Sequence, residues 1–307
     1  MELYKKYRPK KLWQIVGQTE SVKTLANFLK RKNLPHSLLL SGPSGCGKTT
    51  IARILKKELK CSGNDFNELN MADLRGIDEI RAIRNRIYQT PMSGECRIWL
   101  IDEAHKLTND AQNAFLKMLE DTPRHVYFFL ATTEPHKLIK TIRTRCTEIQ
   151  VSELSEKELK IVVSRVVGDE KKTIDDSIIE KIVEKSEGSA RKALVILEKV
   201  LTLDNEKDQN SLLDKITLDQ EVKNLARVLI NPRVTWQETS SILKTLTENE
   251  AETIRRGVLG YSKAVLLSGG KLANRAYLII DCFRDPLYDS GFPGLVAYCY
   301  EVVLGSK

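Results

Sequence analysis

The sequence predicts an α/β protein in which a parallel sheet, covered by helices, fills the first half and two all-helical segments follow. Three observations predict it. Short, continuously apolar runs alternate with amphipathic stretches over the first 150 residues. A glycine-rich loop joins the first of these runs to a helix. From residue 153 onward the apolar residues recur at helical spacing only.

In chain order, SLLLS at 37–41, FNEL at 66–69, IWLI at 98–101 and VYFFLA at 126–131 read as strands, and TEIQV at 147–151 closes the sheet. Strands that are apolar along their whole length are buried on both faces, which is the condition of a parallel sheet. Residues 48–60, 77–89 and 109–120 between them read as helices. SEKE at 155–158 has the pattern of a capping box, and helix follows to about residue 203. There Ile178, Ile179, Ile182 and Val183 share one face, Gly188 and Ser189 end that helix, and Ala193, Leu194, Leu197 and Val200 mark the next. The polar DNEKDQN at 204–210 reads as a linker, and 211–307 as a second helical region with turns at Asn231-Pro232, Gly269-Gly270 and Gly291 to Gly294. The expected boundaries are 1–152, 153–204 and 211–307.

The 307 residues are 41% hydrophobic and 29% charged, an ordinary globular balance. No apolar run approaches the roughly 18 residues of a membrane span. The basic start has no apolar segment behind it, so neither a membrane segment nor a secretory signal is expected, and a cytoplasmic location is. Six cysteines without C-x-x-C spacing read as reduced thiols. The net charge of +8 is uneven, because residues 1–60 hold 14 Lys and Arg against 3 Asp and Glu, while the remainder holds 35 against 38. Such a basic segment suits a polyanion, either nucleic acid or nucleotide phosphate, although a solvated lysine-rich surface gives the same count.

GPSGCGKT at 42–49 fits G-x-x-x-x-G-K-[ST] completely and lies between a strand and a helix, the context in which that pattern cradles phosphate. Backbone N–H groups of Gly42, Pro43, Ser44, Gly45, Cys46 and Gly47 would curl around the phosphates, proline excepted for want of an N–H. Lys48 would meet the β- and γ-phosphates, Thr49 would ligate magnesium, and Thr50 would continue the loop into the helix. Cys46 has no chemistry assigned. IWLIDE at 98–103 delivers two carboxylates to the same sheet edge, where ligand crevices open. Asp102 is placed to hold magnesium, and Glu103 to orient and polarise an attacking water. The strand 126–131 is expected between the other two, and Thr132-Thr133 at its end puts a hydroxyl near the γ-phosphate.

The phosphate loop, DEAH at 102–105, LATT at 130–133, IRTRC at 142–146 and GSARKAL at 188–194 follow the order of AAA+ clamp-loader ATPases. KYRPKKLWQIVGQ at 6–18 and DLRGIDEIR at 73–81 also match, so the resemblance spans residues 4–203. The chain resembles the bacterial gamma/tau subunits and the small subunits of replication factor C. That resemblance implies an AAA+ P-loop ATPase domain, a helical lid and a helical oligomerising collar. It further implies ATP and Mg2+ as ligands, with Tyr7, Arg8 and Val16 on the adenine side and Thr133 as first sensor. Arg191 would be the second sensor, reaching the nucleotide of its own chain. Arg145 matches the arginine of a Ser-Arg-Cys triplet that enters the neighbouring subunit's site, so its counter-ion is expected on another chain; here Thr144 replaces the serine, and Arg143 is expected to be solvated. Gamma/tau subunits carry a four-cysteine zinc module after the phosphate-loop helix, but Cys61 stands 35 residues from the next cysteine, so no zinc is expected. The missing module and compact length fit a minimal form such as a bacteriophage encodes.

On the helix at 77–89, Ile77, Ile80, Ile83 and Ile87 make an apolar stripe with Arg81 and Arg84 beside it. In the resembling family this helix lines the chamber for primer–template DNA, which makes those arginines candidate phosphate contacts; a merely solvated face is the competing reading. The expected function is that of an ATPase motor subunit of a sliding-clamp loader, within a pentameric homo- or hetero-oligomer that grips a sliding clamp. A hexameric AAA+ motor such as a branch-migration helicase, and a nucleotide-binding scaffold that never hydrolyses, remain as alternatives.

Overall fold

The computed structural model describes residues 2–72, 77–246 and 251–305. The chain folds as two compact units, Met1–Asp204 and Asn205–Lys307. Residues 73–76 of the DLRGIDEIR block, and the side chain of Ile77, lie outside the described residues.

The first unit is built on five parallel strands: β1 (Ser37–Ser41), β2 (Phe66–Asn70), β3 (Arg97–Asp102), β4 (Val126–Thr132) and β5 (Thr147–Gln150). Their order across the sheet is β2-β3-β4-β1-β5, so β4 separates the loop-bearing strand from the acid-bearing strand, as expected. Helices α1 (Leu3–Lys6), α2 (Thr19–Lys30), α3 (Lys48–Glu58), α4 (Ile77–Arg86), α5 (Asn109–Glu120) and α6 (Lys140–Arg145) connect and cover the strands. Successive side chains of β1 go to opposite faces: Leu38 and Leu40 join Ile51, Ile54 and Leu55 of α3, whereas Leu39 joins Ile80 and Ile83 of α4 and Phe115 of α5. Two cores on one sheet explain why β1, β3 and β4 lack polar alternation, whereas β2 and β5, at the sheet edges, keep polar residues and are only partly buried. Helix α4 ends at Arg86, a turn earlier than the stripe suggested, yet Ile87 is still buried beyond it.

Helices α7 (Glu156–Asp169), α8 (Asp176–Lys185) and α9 (Ala190–Val200) complete the unit. Each starts on the residue type its first turn requires. Ser155 and Glu158 form the capping box, Asp175 accepts from the N–H of Ser177, and Ser189 from that of Lys192. All four residues of the 178–183 stripe are buried.

The second unit holds α10 (Glu206–Ile230), α11 (Trp236–Leu243), α12 (Ala251–Leu267), α13 (Ala273–Cys282) and α14 (Gly291–Leu304). Two expectations from the sequence fail here. The polar stretch at 204–210 is not a linker: Asn205 caps α10 by accepting from Asp208 N at 2.7 Å, and Glu206 and Asp208 sit at the positive end of that helix, where acid is stabilising. The segment from Gly291 to Gly294 is not a turn between elements but the first turn of α14, where Pro293 removes an N–H that has no helical partner anyway. The core of this unit gathers Leu225 and Leu229 of α10, Ile254 and Val258 of α12, Ile279 of α13, and Leu295 and Cys299 of α14. Among the described residues no helix is long and apolar enough to cross a membrane.

Candidate nucleotide site

Parallel register fixes where the strands end. Ser41 pairs with Thr132 across β1 and β4, and Asn70 with Asp102 across β2 and β3. The residues following those ends, Gly42, Glu103 and Thr133, therefore emerge along one edge of the sheet, the edge at which α/β proteins hold ligands. The loop 42–47 turns there on three left-handed glycines, with φ of +141° at Gly42, +79° at Gly45 and +113° at Gly47. Gly42 passes so close to β5 that a Cβ would overlap the carbonyl oxygen of Val151, and a Cβ on Gly45 would overlap Ser189 Oγ. The second contact packs the loop against the start of α9, where the Arg191 N–H also reaches the Gly45 carbonyl at 3.4 Å.

One cleft receives most of the expected residues. Ser44, Gly45, Cys46, Gly47, Lys48, Thr49, Thr50, Asp102, Glu103, Arg191, Tyr7, Arg8 and Val16 all line it. Lys48 is buried and donates from Nζ to the carbonyls of Gly42 and Pro43 at 2.7 Å each; burial pushes its ammonium below the ordinary lysine value, against the pull of Glu103 and Asp102. Thr49 Oγ1 donates to Asp102 Oδ2 at 3.5 Å. This hydroxyl and carboxylate form an oxygen-only pair suited to magnesium, which keeps most of its shell for water and phosphate. Among the described residues no group of three or more His, Cys, Asp or Glu stands ready to hold a metal.

Thr133 lies in an adjoining cleft with Ser41, Gly42, Pro43, Pro135, Glu148 and Gln150. Sequence reasoning missed the apolar wall opposite the loop, made by Ile15, Leu154, Val162, Val166 and Leu194, as well as Tyr4 and Arg165. Val162, Val166 and Leu194 have only ordinary helical spacing, which does not tell a core face from a ligand face, and Ile15 and Leu154 lie in connecting segments outside the helices. The Arg191 guanidinium lies 5.7 Å from the centroid of the Tyr4 ring, so α1 and α9 meet over the cleft. Arg8 is held below the usual arginine value by burial, with Arg53 and Arg191 adding repulsion. A cleft lined by Lys48, Arg8, Arg165 and Arg191 presents positive charge to an anion.

Arg145 is not among the residues lining this cleft. It ends α6 and, although the local sequence offers no obvious counter-ion, pairs within its own chain with Glu120 at the end of α5 at 2.5 Å and donates to the Thr141 carbonyl. Nothing in the local sequence points to Glu120, 25 residues away, because only the packing of α5 on α6 brings them together. Arg143 is exposed, as expected, and Thr144 Oγ1 donates to the Thr141 carbonyl. On α4 both Arg81 and Arg84 are exposed, with Arg81 3.2 Å from Asp78 one turn back.

His105, absent from the expected site, is buried beside it. Its Nδ1 is 3.1 Å from Thr132 Oγ1, and its Nε2 is 3.2 Å from Glu134 Oε2 and 3.5 Å from Glu103 Oε2. Glu103 itself has left-handed backbone, φ 53° and ψ 42°, a conformation that costs a non-glycine residue about 1 kcal/mol and that clusters at functional sites.

Comparison with known proteins supplies the lineage. The family model described as DNA polymerase III, delta subunit, matches residues 70–155, and that of the Sigma-54 interaction domain matches residues 15–77. The DNA polymerase III subunit gamma of Buchnera aphidicola subsp. Schizaphis graminum is 32% identical over 263 residues, covering 74% of this chain and 72% of the relative. The chain belongs to the DNA polymerase III gamma/tau family. Another gamma/tau family member, subunit tau of Bacillus subtilis, is 32% identical over 95% of this chain but 53% of its own length. The subunit gamma/tau of Mycobacterium bovis is 33% identical over 66% of this chain and 39% of its own length. The chain thus spans about half or less of those two longer family members. Among solved structures, the Thermotoga maritima RuvB Holliday junction branch migration motor aligns with a TM-score of 0.53 at 22% identity, over 82% of this chain and 79% of that one. At that identity the likeness concerns the fold alone, and it is the AAA+ arrangement expected for the gamma/tau family.

Proposed function

We propose that this chain is an ATPase motor subunit of a DNA sliding-clamp loader. Residues 153–204 serve as its lid and the second unit, which begins at Asn205 and takes in the expected 211–307, as its oligomerising collar. The observation that carries the reading is the division of charge. The cleft holds a phosphate loop, an acid pair and the sensor Arg191, yet Arg145 stands outside it at the end of α6. A site complete for binding but lacking that arginine is one that a neighbouring subunit finishes.

In this reading the phosphates of ATP lie along the N–H groups of the loop and the N-terminus of α3, and Lys48 leaves the Gly42 and Pro43 carbonyls for the β- and γ-phosphates. Thr49 and Asp102 would hold Mg2+, which neutralises phosphate charge when bound. Glu103 orients a water and receives its proton as the water oxygen bonds to the γ-phosphorus and the bond to the β–γ bridging oxygen breaks. Thr133 fixes the water or a γ-phosphate oxygen. Arg191 reads the phosphates from the lid of its own chain, and the neighbour's Arg145 stabilises charge on the transferred group. Release of Arg145 from Glu120 accompanies that engagement. ATP binding assembles subunits that grip the clamp, Arg81 and Arg84 contact the backbone of primer–template DNA, and hydrolysis releases the closed clamp; this couples nucleotide state to affinity for two partners.

The test is complementation between defective chains. Arg145→Ala and Lys48→Ala chains should each hydrolyse ATP slowly, and their mixture should recover part of the rate, because a Lys48→Ala chain still lends Arg145 to the intact cleft of its neighbour. No recovery at any mixing ratio would sink the shared site. Stimulation by primer–template DNA with a ring clamp, and not by four-way junctions, separates this reading from a branch-migration motor.

A further inference from the structure

Resting on the reading of the cleft as an ATP site, we propose that Glu170 is a positioning residue for the nucleoside. It takes the Tyr7 hydroxyl, fastens the base side of the cleft to the lid helix α7, and raises affinity for ATP without entering the reaction.

Lys48, Thr49, Asp102 and Glu103 mark one end of the cleft, so the nucleoside of a bound ATP lies toward the other, between residues 7–16 and the apolar wall. That wall includes Val162 and Val166, one turn apart on α7. Glu170, the C-cap of α7, falls a further turn along the same face. Its Oε1 accepts from the Tyr7 hydroxyl and from Lys6 Nζ, each at 2.7 Å. Tyr7 itself lines the cleft beside Arg8 and Pro9, whereas Glu170 does not line it and acts through Tyr7. One face of α7 thus offers apolar atoms to a base and a carboxylate to the phenol that borders it.

The start of the chain needs such a tie. Helix α1 spans four residues, too few to be stable alone. The later part of the base-side segment is fastened without the lid helices: Gln14 Oε1 accepts from the Lys10 and Lys11 N–H groups at 2.9 and 3.2 Å, and Gln18 exchanges hydrogen bonds with Ser152. Its beginning is fastened to the lid, by Glu170 at Tyr7 and by Glu198 of α9, whose Oε2 accepts from the Leu3 N–H at 3.4 Å. Of the two, the bond to Glu170 is the shorter, and its carboxylate is 24% exposed, so water competes for it only in part. Without it, Tyr7 and its neighbours would have to be ordered as the base arrives, which weakens binding. Phosphates gripped by the loop at 42–49 would not sense that loss.

The test sets ATP against inorganic tripolyphosphate, which carries the phosphates without the base. Each competes with a fluorescent ATP analogue for the full chain as wild type, Tyr7→Phe, Glu170→Ala, Glu170→Gln, the Tyr7→Phe/Glu170→Ala double variant and Lys48→Ala. Tyr7→Phe and Glu170→Ala should each weaken ATP about fivefold, the size of a partly exposed hydrogen bond to a charged acceptor, and leave tripolyphosphate within about twofold. Glu170→Gln keeps an acceptor oxygen and should lose less. The double variant should bind ATP about as well as the weaker single variant, because each removes the same bond. In steady state KM for ATP should rise with kcat within about twofold, the pattern of a contact common to ground and transition states. Unchanged ATP affinity in Glu170→Ala, ATP and tripolyphosphate weakened alike, or losses that add in the double variant would each overturn the proposal and leave the ATP site standing. A Lys48→Ala chain that binds ATP as tightly as wild type overturns the ATP site itself.

Discussion

Gly42 shows how much of this site rests on the absence of an atom. Its φ of +141° is open to glycine, and the position of a Cβ is already taken by the Val151 carbonyl, which is backbone and cannot rotate away. Gly42→Ala should therefore destabilise the first unit by about 3 kcal/mol, through a forced shift of β5 together with left-handed strain. Gly47→Ala, with open space around its Cβ, bears the φ cost alone and should lose about 1 kcal/mol. Urea unfolding of the two variants checks this ordering, and equal losses would show that the contact with Val151 yields easily. The motif announces glycine at 42 and 47 alike; the unequal reasons for them become visible only once β5 is paired beside β1.

Among elements, the helices and strands that bury an uninterrupted stripe were legible, because periodicity alone specifies them: β1, β3, β4, α5 and α8 fall where their apolar residues placed them. The order β3-β4-β1 agrees with the place expected for strand 126–131 between the other two. Less legible were elements whose ends depend on a side chain turned back on the backbone. Asn205 converts an apparent linker into the first turn of α10, and composition cannot distinguish a solvated loop from a capped polar helix. Least legible were pairings across sequence, such as Arg145 with Glu120 or His105 with Glu134, which only the packed elements create. Glu252 of α12 combines both kinds of pairing, local and distant, with Arg255 and Arg256 one turn along its own helix and Leu287 brought to it by packing. It accepts from Arg255 Nε and Nη2 at 2.8 Å each, from Arg256 Nε at 2.9 Å and from the Leu287 N–H at 3.0 Å, while Arg255 donates to the carbonyls of Phe283 and Arg284 just past α13. The Arg255 bond is the main reason its carboxyl is held down to about 2. A folded-state value below the unfolded one stabilises above the ordinary carboxylate range, and that contribution is lost as pH falls from about 4.5 toward 2. Glu252→Gln should cost the second unit about 2 kcal/mol at pH 7 and flatten its stability as pH falls from about 4.5 toward 2, the range in which the unfolded chain's carboxylate takes up a proton while the folded one stays ionised. Hydrogen exchange over residues 251–305 follows this unit by itself; an unchanged pH dependence there would mean that Glu252 is not the group that titrates.

At the scale of the whole molecule, the cleft draws every lining residue from Tyr4 to Leu194, inside the unit that ends at Asp204. That unit has its own cores on both faces of the sheet, and the second unit has a separate one. Binding and turnover should consequently part company when the chain is cut between the units. A chain ending at Asp204 keeps the loop, the acid pair and Arg191, so its Kd for ATP should stay within about threefold of the full chain, since uniform binding contacts survive intact. It also keeps Arg145, but in the proposed assembly that residue acts only on a neighbour held at high effective concentration by the collar. Hydrolysis per subunit should fall about tenfold or more at micromolar protein and recover as the concentration rises, whereas the full chain should show little dependence over the same range. Fluorescent-nucleotide titration and phosphate release on both chains give the two numbers. Turnover that is undiminished and independent of concentration in the shortened chain would place every catalytic group within one subunit, and the pairing of Arg145 with Glu120 would then be its permanent state.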